Sequence, residues 1–161
     1  DGCRGLGNGA CLPAGPLREP PGRLNSVDFV LFNGGEADAN HGYRMTLSGR
    51  ELVNLKDSRR TPLEAMRGRR VHAVAGIGSP PRFFAALAAA GLDVVEHPFP
   101  DHHRFAEADL RFGDGDPVLM TEKDAVKCTG FAQSDFWYLP VQAELPDGFQ
   151  KQLLERVKGI R

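Results

Sequence analysis

The chain of 161 residues carries 20 Lys and Arg against 21 Asp and Glu, 41% apolar residues and three cysteines. That is about one domain's worth of chain, enough to bury a core without disulfide or metal staples, and its net charge of −1 argues against an electrostatically driven nucleic-acid binder. The longest run free of charged and hydrogen-bonding side chains, residues 83–92, falls short of the about 20 residues that a membrane span needs.

Cys3, Cys11 and Cys128 are an odd number without C-x-x-C spacing, so neither a disulfide framework nor a zinc ribbon is indicated, and a reducing cytosol fits best. The chain opens Asp-Gly-Cys-Arg-Gly, with no initiator Met and no basic, apolar leader, so Asp1 is expected not to be the natural start.

Glycine and proline are concentrated early: residues 1–35 hold 8 of the 19 Gly and 4 of the 12 Pro. This stretch reads as loop and turn with one strand, 27–32, ended by Asn33-Gly34-Gly35. Two short alternating runs, 44–47 and 51–55, flank Ser48-Gly49 and suggest a β-hairpin or ribbon, and the polar residues 56–62 read as a linker. From Gly68 strand and helix alternate. Residues 71–75 form a strand and Gly76-Ile77-Gly78 a tight turn; a helix over 80–90 follows, with Ser79 as N-cap, Pro80 at its first position and Gly91 as its stop. Strands over 92–97, 118–121 and 136–139 alternate with helices over 105–112, 122–129 and 148–158. This order predicts an α/β fold, a Rossmann-like, mostly parallel sheet flanked by helices with right-handed crossovers. Ligands of such sheets bind outside the carboxyl ends of the strands, which selects the loops 76–79, 98–103 and 121–127.

Three constellations could carry chemistry. Asp101-His102-His103 follows a strand, and an imidazole beside a carboxylate can exchange a proton near neutral pH; without further information a plain surface turn is the better reading. His41, His72 and His97 show no metal-ligand spacing. Thr121, Glu122, Lys123 and Asp124, with Lys127, open a helix where an anion could be received, although acidic residues in a first turn are favoured by the helix dipole alone. Arg18-Glu19 in a proline-stiffened stretch could clamp a phosphate and hold Mg²⁺, or form an exposed ion pair on a connector. The cluster Gly5-Leu6-Gly7-Asn8-Gly9 is not a dinucleotide fingerprint, and no G-x-x-x-x-G-K-[ST] loop occurs in these residues.

In this order, Gly5-Leu6-Gly7-Asn8-Gly9, the run from Leu12 to Arg18-Glu19-Pro20, Asn33-Gly34-Gly35, Val74-Ala75-Gly76-Ile77-Gly78, Phe99-Pro100-Asp101-His102-His103 and Met120-Thr121-Glu122-Lys123-Asp124-Ala125-Val126-Lys127 resemble the tetraacyldisaccharide 4′-kinase (lipid A 4′-kinase) family of Gram-negative bacteria. The resemblance runs over nearly the whole chain and covers the C-terminal half to two-thirds of a family member. It implies transfer of phosphate from ATP, with Mg²⁺, to the 4′-hydroxyl of a tetraacyldisaccharide 1-phosphate at the cytoplasmic face of the inner membrane. It also implies two α/β/α domains joined by a β-ribbon, with the P-loop, the acidic Mg²⁺ ligands and the aspartate partner of a catalytic histidine upstream of the residues here.

Mapped onto the chain, the resemblance implies a tail of the P-loop domain (1–42), a ribbon and linker (43–67) and a second α/β/α domain (68–161). His102 is carried over as the catalytic histidine, with Asp101 orienting it. Arg18, Glu19 and Asn8 are placed near phosphate, substrate or metal, Glu19 as a metal ligand, and Gly76, Gly78 and Thr121 to Asp124 as lining a cleft. The expected partners are ATP, the lipid A disaccharide precursor and, peripherally, the membrane surface, with no nucleic acid; these residues alone are expected to be inactive. The competing readings are a non-catalytic Rossmann-like nucleotide- or anion-binding module and a truncated product without function.

Overall fold

The computed structural model describes residues 2–35 and 42–159. The strands and helices run in the order β1 (Leu31–Asn33), β2 (Tyr43–Ser48), β3 (Glu51–Asn54), β4 (Arg60–Pro62), β5 (Arg70–Ala75), α1 (Pro80–Ala89), β6 (Asp93–Pro98), β7 (Val118–Thr121), α2 (Glu122–Cys128), β8 (Phe136–Leu139), β9 (Gln142–Glu144) and α3 (Asp147–Lys158). The chain divides into two compact units, one formed by Asp1–Ser48 with Gln142–Arg161, the other by Gly49–Val141.

In the first unit β2 pairs with β1 in parallel and with β9 antiparallel, Ser48 opposite Gln142. The strand expected over 27–32 is shorter and later. Its early residues serve side-chain contacts instead: Asp28 ion-pairs with Arg156 of α3, and the Phe29 ring meets Tyr43 and the buried Phe149 at centroid distances of 6.2 and 5.3 Å. These contacts and the β9 pairing explain why 142–161 group with 1–48 rather than with the residues that precede them.

The two runs around Ser48-Gly49 do not form a hairpin with each other. The chain passes between the units at that point, and β3 pairs with β4 and β8. The physical reason is burial: Leu52 and Val53 of β3 are 0% and 4% exposed in the larger sheet, while most of β2 stays exposed or half-buried. The antiparallel pair at the passage is therefore β2 with β9. The expected linker 56–62 likewise contains β4, because the buried Asn54 shapes a tight turn. Its Oδ1 accepts from the Lys56 and Asp57 amides at 3.0 and 3.3 Å, and its Nδ2 donates to the Ser134 carbonyl at 2.9 Å.

The second unit is a six-stranded sheet in the order β4-β3-β8-β7-β5-β6, with β8, β7, β5 and β6 parallel. The period-two alternation of these strands builds two cores. Val71, Ala73, Ala75, Leu119, Trp137 and Leu139 pack with Phe83, Phe84 and Leu87 of α1. The alternate residues Val74, Val118, Met120 and Phe136 pack with Ala125 and Cys128 of α2. This is the expected helix-flanked, mostly parallel α/β sheet.

Ser79 caps α1 by position without a side-chain bond. The helix ends in a Schellman motif, with Gly91 left-handed (φ +89°) and the Leu92 amide donating to the Leu87 carbonyl at 3.3 Å. The helix expected over 105–112 is only a 3-10 turn, Glu107–Leu110. There the Asp109 carboxylate accepts from the Ala106 amide at 2.8 Å and bonds the His103 ring, Phe105 and Leu110 turn into the core, and left-handed Gly113 follows.

Candidate active site

Of the parallel strands, β5 and β7 are neighbours whose following helices cover opposite faces of the sheet, α1 on one core and α2 on the other. That is a topological switch point, where a doubly wound sheet opens a crevice at its carboxyl edge. The three loops selected from the sequence meet there. The Gly76 amide, after β5, donates to Asp124 Oδ2 of α2 at 2.9 Å. The Gly76 carbonyl accepts from the His102 amide at 3.3 Å, and Lys123 Nζ donates to Asp101 Oδ1 at 2.8 Å.

Asp124 is fully buried. Thr121 Oγ1 donates to its Oδ2 at 2.7 Å while accepting the Asp124 amide at 3.2 Å, so Thr121 caps the helix and also bonds the side chain of the aspartate in its third position. Lys127 Nζ donates to Oδ1 at 2.8 Å and lies 5.4 Å from the centre of the Phe105 ring. Glu122 and Lys123 are exposed and Thr121 half-buried; Asp124 thus does not line an open surface, and it closes the space between the loops.

Residues 100–103 form a turn closed by the His103 amide donating to the Pro100 carbonyl at 3.1 Å, with His102 left-handed (φ +63°). Such a φ is uncommon outside glycine, histidine being among the side chains that tolerate it best, and backbone strain of this kind clusters at functional sites, although Ser58 adopts it in a plain turn. Asp101 Oδ1 accepts from the His102 amide at 3.0 Å, and the bond from Lys123, with the charges of His102 and Lys123, holds the Asp101 carboxyl below its ordinary pKa of 3.8. The His102 ring is 78% exposed, its Nε2 3.7 Å from Asp101 Oδ2, which is longer than a hydrogen bond. Asp101 therefore sets the backbone of the turn and leaves the ring in reach of a ligand. His103 is an anchor: its Nε2 bonds Asp109 at 3.1 Å and its ring packs on Phe99 and Phe105. Gly78 is exposed, and a Cβ added there would lie 3.8 Å from Asp101 Oδ2.

Asn8, Arg18 and Glu19 belong to the first unit. The Asn8 amide spans its own loop, Nδ2 donating to the Ala14 carbonyl at 2.9 Å and Oδ1 accepting from the Ala10 amide at 3.1 Å, so both of its ends serve the loop. Arg18 is exposed, and Glu19 makes an exposed ion pair with Arg23 at 2.9 Å.

A grouping that the sequence did not reveal lies on the α2 face of β5 and β6. His72, 4% exposed, bonds Asp114 through Nε2 at 2.9 Å and His97 through Nδ1 at 2.9 Å, and both rings stack on Phe112. Burial and the neighbouring His72 push the His97 pKa below 6.5. Asp114 and Asp116 could join His72 around a cation, but Arg70 Nη1 lies 3.4 and 3.3 Å from these carboxylates and already supplies the positive charge. Linear spacing gave no signal because the cluster is assembled across two parallel strands and a loop; His41 lies outside the described residues. Cys128 is buried, and burial pushes its thiol up to about 11, so it is no nucleophile.

A family profile described as "LpxK: Tetraacyldisaccharide-1-P 4'-kinase" matches residues 1–158. A tetraacyldisaccharide 4′-kinase of Azoarcus sp. (strain BH72) is 57% identical over 162 aligned positions that cover 97% of this chain and 48% of the relative. One from Alcanivorax borkumensis is 53% identical, covering 99% of this chain and 49% of the relative. Among solved structures, the LpxK of Aquifex aeolicus in complex with ATP superposes with a TM-score of 0.65 at 25% identity, over 93% of this chain and 49% of that one. The chain thus spans about half the length of the curated relatives it matches. With the profile matched almost from end to end and the Asp101-His102 turn and the Thr121–Lys127 segment both set at the switch point of the sheet, the chain belongs to the tetraacyldisaccharide-1-P 4′-kinase family.

Proposed function

We propose that this chain is the C-terminal part of an ATP-dependent lipid kinase that phosphorylates the 4′-hydroxyl of a tetraacyldisaccharide 1-phosphate in lipid A biosynthesis. In this reading residues 1–42 belong to the tail of the P-loop kinase domain, and residues 68–141, within the second compact unit, belong to the second α/β/α domain that carries the His102 turn. The observation that carries the proposal is the exposed His102 imidazole on a turn braced by Asp101, Lys123 and Gly76, within a chain matched by the family over residues 1–158.

Phosphoryl transfer is mostly positioning and charge neutralisation, with one group needed to take the proton of the attacking hydroxyl. His102 is assigned that role: its ring is reachable, its backbone is fixed, and Asp101, 3.7 Å away, steadies positive charge on the imidazole. Arg18 is assigned to phosphate, whose oxygens a guanidinium meets bidentately. Mg²⁺, which would neutralise phosphate charge, is usually held by one or two carboxylates together with phosphates and water. Glu19, already paired with Arg23, fits at most one of those ligands, so no step is derived through the ion.

No helix among the described residues is long and apolar enough to cross a membrane; the place of action in this proposal, the cytoplasmic surface of the inner membrane, rests on the family resemblance. The alternative of a non-catalytic nucleotide- or anion-binding module is disfavoured by kinase relatives at over 50% identity.

The test is a kinase assay on this chain extended by the N-terminal half of the Azoarcus relative, with labelled ATP and the lipid disaccharide 1-phosphate. Transfer is expected, and His102→Ala should lower kcat by roughly 10²–10⁴-fold, the range of a general acid–base group. An unchanged kcat would remove His102 from the mechanism. The 161 residues alone are expected to give no turnover, and phosphorylation by them would refute the division of the site between two halves.

A further inference from the structure

Asp124 has more bonds than its place in the helix requires. Capping α2 calls for the Thr121 hydroxyl and the Asp124 amide, which already bond at 3.2 Å. The carboxylate reaches beyond the helix, and Oδ2 accepts the Gly76 amide at 2.9 Å across the switch point. The same Gly76 residue passes the connection on, its carbonyl accepting from the His102 amide at 3.3 Å. Next to Asp124 on α2, Lys123 grips the other side of that turn through Asp101 at 2.8 Å. A carboxylate with no exposed surface is costly to desolvate unless it is fully paired; here Oδ1 is paired with Lys127 at 2.8 Å, and Oδ2 goes to Thr121 and to the Gly76 amide.

We infer that Asp124 is a positioning residue for the His102 turn, acting through the Gly76 backbone, so that the first turn of α2 is a two-point clamp on the group that takes the hydroxyl proton. The clamp is a matter of bonds within this chain; its catalytic meaning rests on the function proposed above. Left-handed backbone at His102 has no glycine to make it easy, and the two bonds that reach the turn from α2 and Gly76 keep it from relaxing.

The test uses the full 161-residue chain and amide-resolved NMR. Asp124→Asn keeps the shape but leaves one oxygen where Gly76, Thr121 and Lys127 shared two, and sets an NH₂ group against at least one of these donors. It should shift the Gly76 and His102 amide resonances and speed hydrogen exchange at Gly76 by at least about tenfold, the effect of losing one net hydrogen bond. Ala125→Gly, which weakens the same helix without touching the carboxylate, should leave the Gly76 and His102 resonances in place. Should Asp124→Asn fail to fold, Thr121→Val, which removes the hydroxyl that orients the carboxylate, should move the same two amides in the same direction. Unmoved Gly76 and His102 signals in the folded variants, or equal movement in Ala125→Gly, overturn the inference.

In the extended kinase, Asp124→Asn should lower kcat about tenfold or more with little change in KM for ATP, and an unchanged kcat overturns the positioning role. If the extended kinase transfers no phosphate even with Asp124 intact while the NMR shifts occur, the clamp stands and the proposed function falls.

Discussion

Gly76→Ala is the most direct probe of how tightly the carboxyl edge is built. Gly76 is buried, and its φ lies outside the left-handed region, so alanine meets no backbone penalty. The difficulty is space. A Cβ at this position would lie 3.3 Å from Asp124 Oδ1, from the Phe105 ring and from the Pro100 carbonyl at once, a few tenths of an ångström inside comfortable contact. None of the three yields freely: Asp124 is tied to Thr121, Lys127 and the Gly76 amide, Phe105 is in the core, and Pro100 opens the turn that carries His102.

Overpacking of this kind costs about 1–3 kcal/mol, and replacing glycine returns about 0.4–1 kcal/mol by narrowing the unfolded ensemble. The net loss spans about 0–2.6 kcal/mol and centres near 1.3 kcal/mol, a fall in Tm of about 5–10 °C at that central value for a unit of this size. Gly78→Ala is the matched control: its Cβ would meet only Asp101 Oδ2 at an ordinary 3.8 Å, also without a left-handed φ, so stability should hold or rise by up to about 1 kcal/mol. Thermal and urea melts of both variants, followed by circular dichroism, decide the matter. Equal stability of the two, or a stable Gly76→Ala, would refute the close convergence of the three loops.

Two further predictions concern acid and strain. The His97 pKa is lowered from 6.5, and those of Asp101, Asp109 and Asp114 from 3.8. In each case the unfolded chain takes up its proton first as the pH falls, so the contribution of these groups to stability is full above pH 6.5, declines below it through His97, and declines again below pH 3.8 through the carboxylates; urea midpoints across this acid range should show both stages, and His97→Gln should abolish the first. His102→Gly should leave stability unchanged or raise it by up to about 1 kcal/mol, because glycine adopts the left-handed φ of +63° freely and the ring it removes is 78% exposed; a clear loss on chemical denaturation would mean that the ring packs more than this geometry allows.

For the proposed kinase, two aspartates share the support of the His102 turn. Asp101 spends its carboxylate on the turn and on Lys123, and Asp124, a residue that reads as an ordinary helix-start acid, braces the turn from beneath.

By itself the sequence determined the parallel strands, the helices α1 and α2 that follow two of them, and the edge where the loops meet. Those follow from local signals: apolar runs of strand length, Pro80 at the start of α1, Gly91 at its end, and the rule that places ligands outside the carboxyl ends of parallel strands. The His102 motif was legible for the same reason, as a short contiguous run after a strand. Tertiary structure alone decided the partners. The runs 44–47 and 51–55 look like the arms of one hairpin, yet β2 joins β9 and β3 joins β8, since pairing is set by which residues far along the chain offer a ladder and a buried face. Residues 105–112 have helical composition but are drawn into a 3-10 turn by Asp109 and by the core that takes Phe105 and Leu110. Asp124 became a clamp only when the fold set the Gly76 amide against it, 48 residues away in the chain, a distance across which no spacing of residue types carries a signal.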